Sequence, residues 1–189
     1  MQKIKTVFKI DYPERGKKGT IRNEVNEGCE WVLASEGWPE IKLDGTACLI
    51  KDGILFKRYD AKHGKKQPPN FFPCMPEPDE ITGHWPGWVT VGTESDSKWH
   101  INAFSKLTIK TNGTYELIGR HIKANPYNLK SDYLVKHGFF VPNVAIERTF
   151  EGIRNYLEQV DAEGLVFHHA DGRMAKIRRN DYGFDWPIK

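Results

Sequence analysis

Three charged clusters carry the reactive side chains of this chain. Lys42-Leu43-Asp44-Gly45 comes first, Glu163-Gly164-Leu165-Val166 follows late, and Lys176-Ile177-Arg178 stands beyond a short turn. Lysine is a poor nucleophile at neutral pH because its ordinary pKa is about 10.4. It becomes useful when partly desolvated beside other cations. The same cations neutralise the charge that develops on a phosphate under attack. A lysine, a carboxylate and a paired cationic strand are together what is needed to take a nucleoside monophosphate onto a lysine nitrogen. A Lys-x-Asp-Gly alone arises by chance in roughly a few per cent of chains this long, so the inference rests on the ordered set.

The strand pattern sharpens each assignment. Alternate residues of a strand share a face, so Lys176 and Arg178 point together while Ala175 and Ile177 point into the core. An ordinary amphipathic strand has the same pattern. Glu163 and Glu116 stand beside apolar strand residues, each expected near a strand beginning. Either suits an Mg²⁺ ion, which prefers one or two carboxylates with phosphate oxygens and water, and a ribose hydroxyl is the other natural partner of Glu116. A solvated strand edge is the commoner fate of a glutamate. Asp44 has the alternative of a turn residue, since Asp-Gly is turn chemistry. Lys57-Arg58, with Lys62, Lys65 and Lys66, forms a basic segment suited to a polynucleotide backbone or, for the three lysines, to a solvated loop. His168-His169 lacks partners at metal-ligand spacing. The tryptophans suit base stacking, but core packing accounts for most of them.

The elements that must position these residues read as antiparallel hairpins. Thr46–Ile50 and Ile54–Tyr59 flank Lys51-Asp52-Gly53, Phe104–Lys110 and Thr114–Gly119 flank Asn112-Gly113, and Leu165–Ala170 and Arg173–Arg179 flank Asp171-Gly172. Asn-Gly and Asp-Gly supply the positive φ angles of tight turns. Thr149 predicts a helix cap ahead of Phe150, Ile153 and Leu157. A second short helix is expected over Leu129–Lys136 and a third before Gly37. Residues 62–100, with six prolines and three tryptophans, read as an ordered, irregular insertion. The fold class is α+β with antiparallel sheets, one domain over 1–189. Net charge is +3, from 28 Lys and Arg against 25 Asp and Glu, so a polyanion site must come from local clustering. Three scattered cysteines favour a reducing compartment over a disulfide framework or a zinc site. With no signal-like apolar run at Met1-Gln2-Lys3-Ile4-Lys5 and no span of membrane length, a cytoplasmic protein is expected, with no membrane partner.

The clusters resemble the motifs of the covalent nucleotidyltransferases, the ATP-dependent ligases and RNA capping enzymes. Lys42-Leu43-Asp44-Gly45 is similar to their nucleophile motif, Tyr115-Glu116-Leu117-Ile118-Gly119 to the third, Glu163-Gly164-Leu165-Val166 to the fourth and Lys176-Ile177-Arg178 to the fifth. Thr46 and Arg58 resemble the RNA-ligase branch. Ile81-Thr82-Gly83-His84-Trp85-Pro86, Ala124-Asn125-Pro126-Tyr127, Thr149-Phe150-Glu151-Gly152 and Asp171-Gly172-Arg173-Met174-Ala175-Lys176 resemble a small family of RNA 5′-to-3′ ligases with a vertebrate member. The similarity runs over roughly residues 20–187.

That resemblance implies a ligase adenylation domain and an ATP- and Mg²⁺-dependent RNA ligase, Mn²⁺ being an alternative metal. Lys42 would take AMP from ATP, pass it to an RNA 5′-phosphate, and a 3′-hydroxyl would displace it. Lys176 and Arg178 would contact phosphates, Glu116 the ribose, Glu163 the metal or the reacting lysine, and Arg58 the nucleotide or the RNA 5′-phosphate. Ile41, Asp44 and Gly45 would border the nucleotide. Phe139 or Phe140 would stack on adenine, with Val166 on its other face. Only Arg179–Lys189 follow Arg178, so no OB-fold domain is expected, unlike DNA ligases and capping enzymes. The alternatives are a minimal polynucleotide ligase preferring nicked DNA or a hybrid, and a catalytically silent nucleotide- or RNA-binding module.

Overall fold

The structure, a computed structural model, describes residues 4–14, 19–62, 64, 66–80 and 82–188. The chain divides into two compact units: a continuous one, Asp44–His137, and a discontinuous one, Ile4–Leu43 with the chain from Gly138 onward. The discontinuous unit begins with strands β1 (Lys5–Thr6), β2 (Phe8–Asp11) and β3 (Thr20–Val25), helix α1 (Glu30–Leu33) and strand β4 (Trp38–Lys42). The continuous unit holds β5 (Thr46–Lys51), β6 (Ile54–Lys62), β7 (Phe72–Pro73), β8 (His84–Thr90), α2 (Lys98–Ser105), β9 (Gly113–Gly119) and β10 (Asp132–Lys136). Helix α3 (Phe150–Gln159) and strands β11 (Gly164–His168) and β12 (Met174–Arg178) return to the discontinuous unit. Sheet outweighs helix and the ladders are antiparallel, apart from β1 running parallel to β12. The architecture is α+β. No helix among the described residues is long and apolar enough to cross a membrane.

In the discontinuous unit a four-stranded sheet runs β1-β12-β11-β4, accompanied by the β2-β3 pair. One face of that sheet is apolar: Leu165, Phe167, Ala175 and Ile177 are wholly buried with Val7, Phe8, Val32, Ile153 and Leu157. Helix α3 supplies Ile153 and Leu157, which are four apart and so share a helix face. Its start is capped as the sequence predicts, with the Thr149 hydroxyl accepting the Gly152 N–H at 3.0 Å. The buried Arg179 guanidinium donates to the Val160 carbonyl at 2.9 Å, and also to the Leu157 carbonyl. Those bonds satisfy carbonyls that the end of α3 leaves open.

In the continuous unit one six-stranded sheet runs β10-β9-β5-β6-β8-β7. The β5–β6 hairpin turns at Asp52 (φ 52°) and Gly53 (φ 76°), the left-handed pair that Asp-Gly chemistry anticipates. Two other expectations fail here. Phe104–Lys110 is not the first strand of a hairpin: Phe104 and Ser105 end helix α2, and 106–110 hold no strand. His100, Ala103, Phe104 and Leu107 recur at helical spacing and pack toward the core. Asn112 makes no hairpin of its own; its side-chain oxygen accepts the Asp52 N–H at 2.9 Å. Of the expected helix over Leu129–Lys136, residues 132–136 are instead strand β10, paired along its length with β9. Period-two burial decides it, with Asp132 and Leu134 inside and Tyr133 exposed between them. Within 62–100, residues 66–71 and 74–80 carry no strand or helix, but His84–Thr90 is a seven-residue strand paired with β6. That segment is therefore less irregular than its prolines suggest. Its Pro86 sits opposite Asp60 on the ladder.

Candidate active site

Register places the reactive side chains of the discontinuous unit. Gly164 of β11 pairs with Lys42 on one side and Arg178 on the other, Val166 pairs with Glu40 and Lys176, and His168 with Trp38 and Met174. Directly paired residues of an antiparallel ladder lie on the same face. Lys42, Glu40, Val166, Lys176 and Arg178 therefore share one face, opposite the buried Leu165, Phe167, Ala175 and Ile177. The side chain of Ile41 goes the other way, into the core cluster, while its N–H donates to the Phe140 carbonyl at 2.7 Å. Gly164 matters for space: a Cβ there would stand 2.2 Å from the Ile177 carbonyl oxygen and 2.8 Å from the Arg178 Cα. A strand glycine of this kind marks close backbone approach.

Lys42 Nζ donates to Glu163 Oε2 at 2.5 Å, the two side chains retaining 24% and 15% of their exposure. Lys176 is close enough to feel both partners. Burial holds its pKa below the ordinary lysine range, and the neighbouring charges of Arg178 and Lys42 push the same way, against Asp181 and Glu163. Arg178 is held above its ordinary value, first by its bond to Asp181. Its guanidinium donates to Asp181 Oδ1 at 2.8 Å, and Asp181 also accepts the Arg178 backbone N–H at 2.8 Å. A lysine amine, a carboxylate and two further cations thus gather here, a set suited to an attacked phosphate.

Glu40 is the residue of this face that sequence reasoning passed over. It is buried (5% exposed) yet fully used: Gly138 N–H donates to Oε1 at 2.5 Å and His168 Nε2 meets Oε2 at 2.7 Å. The His168 ring stacks on Trp38, centroids 5.8 Å apart. The available signal was the alternation Trp38, Glu40, Lys42, which puts a carboxylate on the lysine's face. His168 is therefore partnered by a carboxylate, and His169 by Glu36 and Asp171. Val166 is 9% exposed, Phe139 73% and Phe140 50%.

The remaining expected residues belong to the continuous unit. Asp44 N–H donates to the Tyr127 hydroxyl at 2.5 Å. Gly45 lies so near β9 that a Cβ would stand 2.3 Å from the Leu117 carbonyl oxygen. Glu116 is the fourth residue of β9, mid-strand and not near a strand beginning, with its carboxylate 3.1 Å from His137 Nε2. Arg58 lies on β6 with its guanidinium over Trp88 at 5.7 Å and Nε 3.4 Å from Asp60 Oδ1. Trp88 itself is buried, a packing role. Lys62 and Lys66 are exposed; Lys65 lies outside the described residues. Among the described residues no three His, Cys, Asp or Glu side chains gather into a metal cage. Mg²⁺ held by one or two carboxylates with phosphate and water needs no such cage. All three cysteines are free thiols.

Comparison with known proteins bears on these residues. Residues 103–189 match the family model described as RNA ligase 1; Glu116, Glu163, Lys176 and Arg178 lie inside that match and Lys42 before it. RNA ligase 1 of Danio rerio is 32% identical, the similarity covering 60% of this chain and 45% of that protein. RNA ligase 1 of Rattus norvegicus is 33% identical and that of Pongo abelii 31%, with the same coverage. The chain spans a little under half the length of these curated relatives. Over the matched residues the chain is similar to RNA ligase 1.

Proposed function

We propose that this protein is an ATP-dependent RNA ligase that charges Lys42 with AMP and uses it to join a 5′-phosphate to a 3′-hydroxyl. The observation that carries the reading is the polar sheet face on which the Lys42–Glu163 pair stands with Lys176 and Arg178. Glu163 stands where it can take the ammonium proton. The Lys42 amine then attacks the α-phosphorus of ATP, a P–N bond forms, and the P–O bond to pyrophosphate breaks. Lys176 and Arg178 neutralise the charge that builds on the phosphate oxygens. The adenylyl group passes to an oxygen of the RNA 5′-phosphate, breaking the P–N bond. A 3′-hydroxyl attacks that phosphate in turn and AMP leaves.

The fold proposed is the ligase adenylation domain, one catalytic domain with residues 62–100 as an insertion. A bound Mg²⁺ or Mn²⁺ ion supplies further neutralisation of phosphate charge, with Glu163 or Glu116 as its proposed carboxylate. Val166 and Phe139 or Phe140 are proposed against the adenine, and Ile41 through its backbone. In the continuous unit the same reading gives Glu116 a ribose contact, Asp44 and Gly45 the nucleotide, Arg58 a phosphate, and Lys62 and Lys66 the RNA backbone; each is proposed singly. Free cysteines suit the reducing cytoplasm.

Intact-mass measurement tests the first step. Protein incubated with ATP and Mg²⁺ gains the mass of one AMP, and Lys42→Ala abolishes the gain. A gain from GTP alone points to capping chemistry, and no adduct with any nucleotide leaves only a binding module. Supplying 5′-phosphorylated RNA against nicked DNA then separates the RNA ligase from a minimal DNA-preferring one.

A further inference from the structure

Charge is distributed unevenly along this chain. Ser97–Ser131 holds six Lys and Arg against one carboxylate, Glu116, although the whole chain is only +3; the rest is therefore net acidic. These cations stand around an aromatic pair. The Trp99 ring of α2 stacks on His121, centroids 3.5 Å apart and planes within 2°, and the Lys98 ammonium lies over Trp99 at 4.8 Å. Arg120 N–H donates to the Ser131 carbonyl at 3.4 Å, and Lys106 Nζ donates to the Ser131 hydroxyl at 2.8 Å. Those contacts join α2 to both ends of the β9–β10 connection in one surface. Lys98, Lys106 and Arg120 are all exposed, as are Lys123 and Lys130 in the same connection.

The carboxylates nearby are committed elsewhere. Glu116 meets His137. Asp132 is 1% exposed and sits beneath the surface, bonded to His121 at 2.8 Å. Asp96 pairs with Lys57 at 2.9 Å. A cluster of exposed cations beside a stacked, partly open aromatic pair matches the chemistry of single-stranded nucleic acid. Phosphates supply the affinity, and π-faces accept unpaired bases of any sequence.

We propose that α2 and the β9–β10 connection form a docking surface for single-stranded RNA; the choice of RNA rests on the ligase reading above. The surface is separate from the basic segment at Lys62 and Lys66, and it gives the strand a grip in addition to any contact at Lys42.

The test is fluorescence anisotropy with a labelled, 5′-phosphorylated single-stranded RNA over a range of salt. The triple variant Lys98→Ala/Lys106→Ala/Arg120→Ala should bind at least about tenfold more weakly, its slope of log affinity against log salt shallower by about two. His121→Ala should weaken binding about fivefold without changing that slope. Thermal melting confirms that the variants fold, and AMP gain on Lys42 is measured in parallel. A triple variant that binds RNA as the wild type does, while Lys42 still charges, removes the surface and leaves the ligase reading standing. RNA binding that falls in the variant although the wild type never charges keeps the surface and removes the ligase. Wild-type protein that charges with AMP but does not bind RNA overturns the surface.

Discussion

The Lys42–Glu163 pair is the contact whose energetics can be worked out most fully. At 2.5 Å, with side chains 24% and 15% exposed, it lies between two regimes. Exposed ion pairs couple by about 0.2–1 kcal/mol, whereas breaking a buried pair costs about 3–5 kcal/mol. Partial exposure at both ends puts the expected coupling at about 1–2 kcal/mol. Glu163→Gln keeps the shape but leaves the Lys42 ammonium facing Lys176 and Arg178 without its carboxylate. Each single variant should lose a similar amount, a fall in Tm of about 2–8 °C for a chain of this size. Because Glu163 has other contacts, the cycle of Lys42→Met, Glu163→Gln and the double variant is needed to isolate the pair. Urea unfolding supplies the four stabilities. Additive single losses, with coupling below about 0.3 kcal/mol, would mean that the two groups do not act together, and the proton transfer assigned to Glu163 would lose its basis.

Three further outcomes are expected. Lys176→Met should abolish AMP gain yet leave stability unchanged or raise it by up to about 1 kcal/mol, since a desolvated cation among cations is removed. Charged Lys176 opposes folding below its lowered pKa. That penalty fades as pH rises through it toward the ordinary range, so wild type should gain on the Met variant only in alkali, and a gap constant from neutral pH to pH 10 would contradict the desolvation. Asp171 is held down to about 2, first by the Arg173 backbone N–H and then by the side chains of Arg173 and His169. Its stabilisation is complete above the ordinary aspartate range and lost as pH falls toward 2, and an NMR titration with a midpoint near 4 would refute this. Gly164→Ala should cost about 2–3 kcal/mol by urea midpoint, because the new methyl meets backbone rather than a movable side chain; an unchanged midpoint would show that β11 and β12 can separate at no cost.

Local signals carried much of this structure. The Asp52-Gly53 turn, the Thr149 cap and the alternation from Ala175 to Arg178 each have a mechanism confined to a few neighbouring residues, and each appears where the sequence puts it. Failures came where distant partners decide. Asn-Gly at 112–113 carries hairpin chemistry, but Asn112 spends its side chain on the β5–β6 turn, and helical spacing upstream builds α2. Residues 132–136 became a strand because β9 offered a ladder, which no local propensity encodes. Glu40 escaped notice for the same reason, since its partners Gly138 and His168 lie 98 and 128 residues along the chain. The lysine, the carboxylate and the cationic strand were legible because they form a pattern of residue types. Their meeting on one sheet face was not legible, being a matter of register.

That register has a consequence for how the protein can vary. Strands β4 and β12 are not neighbours in the sheet; they are zipped to opposite edges of β11. A slip of one residue on either side would swing Lys42 or Lys176 into the hydrocarbon interior and bring Ile41 or Ile177 out to water. Misalignment here is thus penalised by the whole apolar layer at once, so the spacing of Lys42 and Lys176 is guarded by the buried residues on the opposite face. The ladder on both edges of β11 acts as a backbone ruler that keeps the two amines in step.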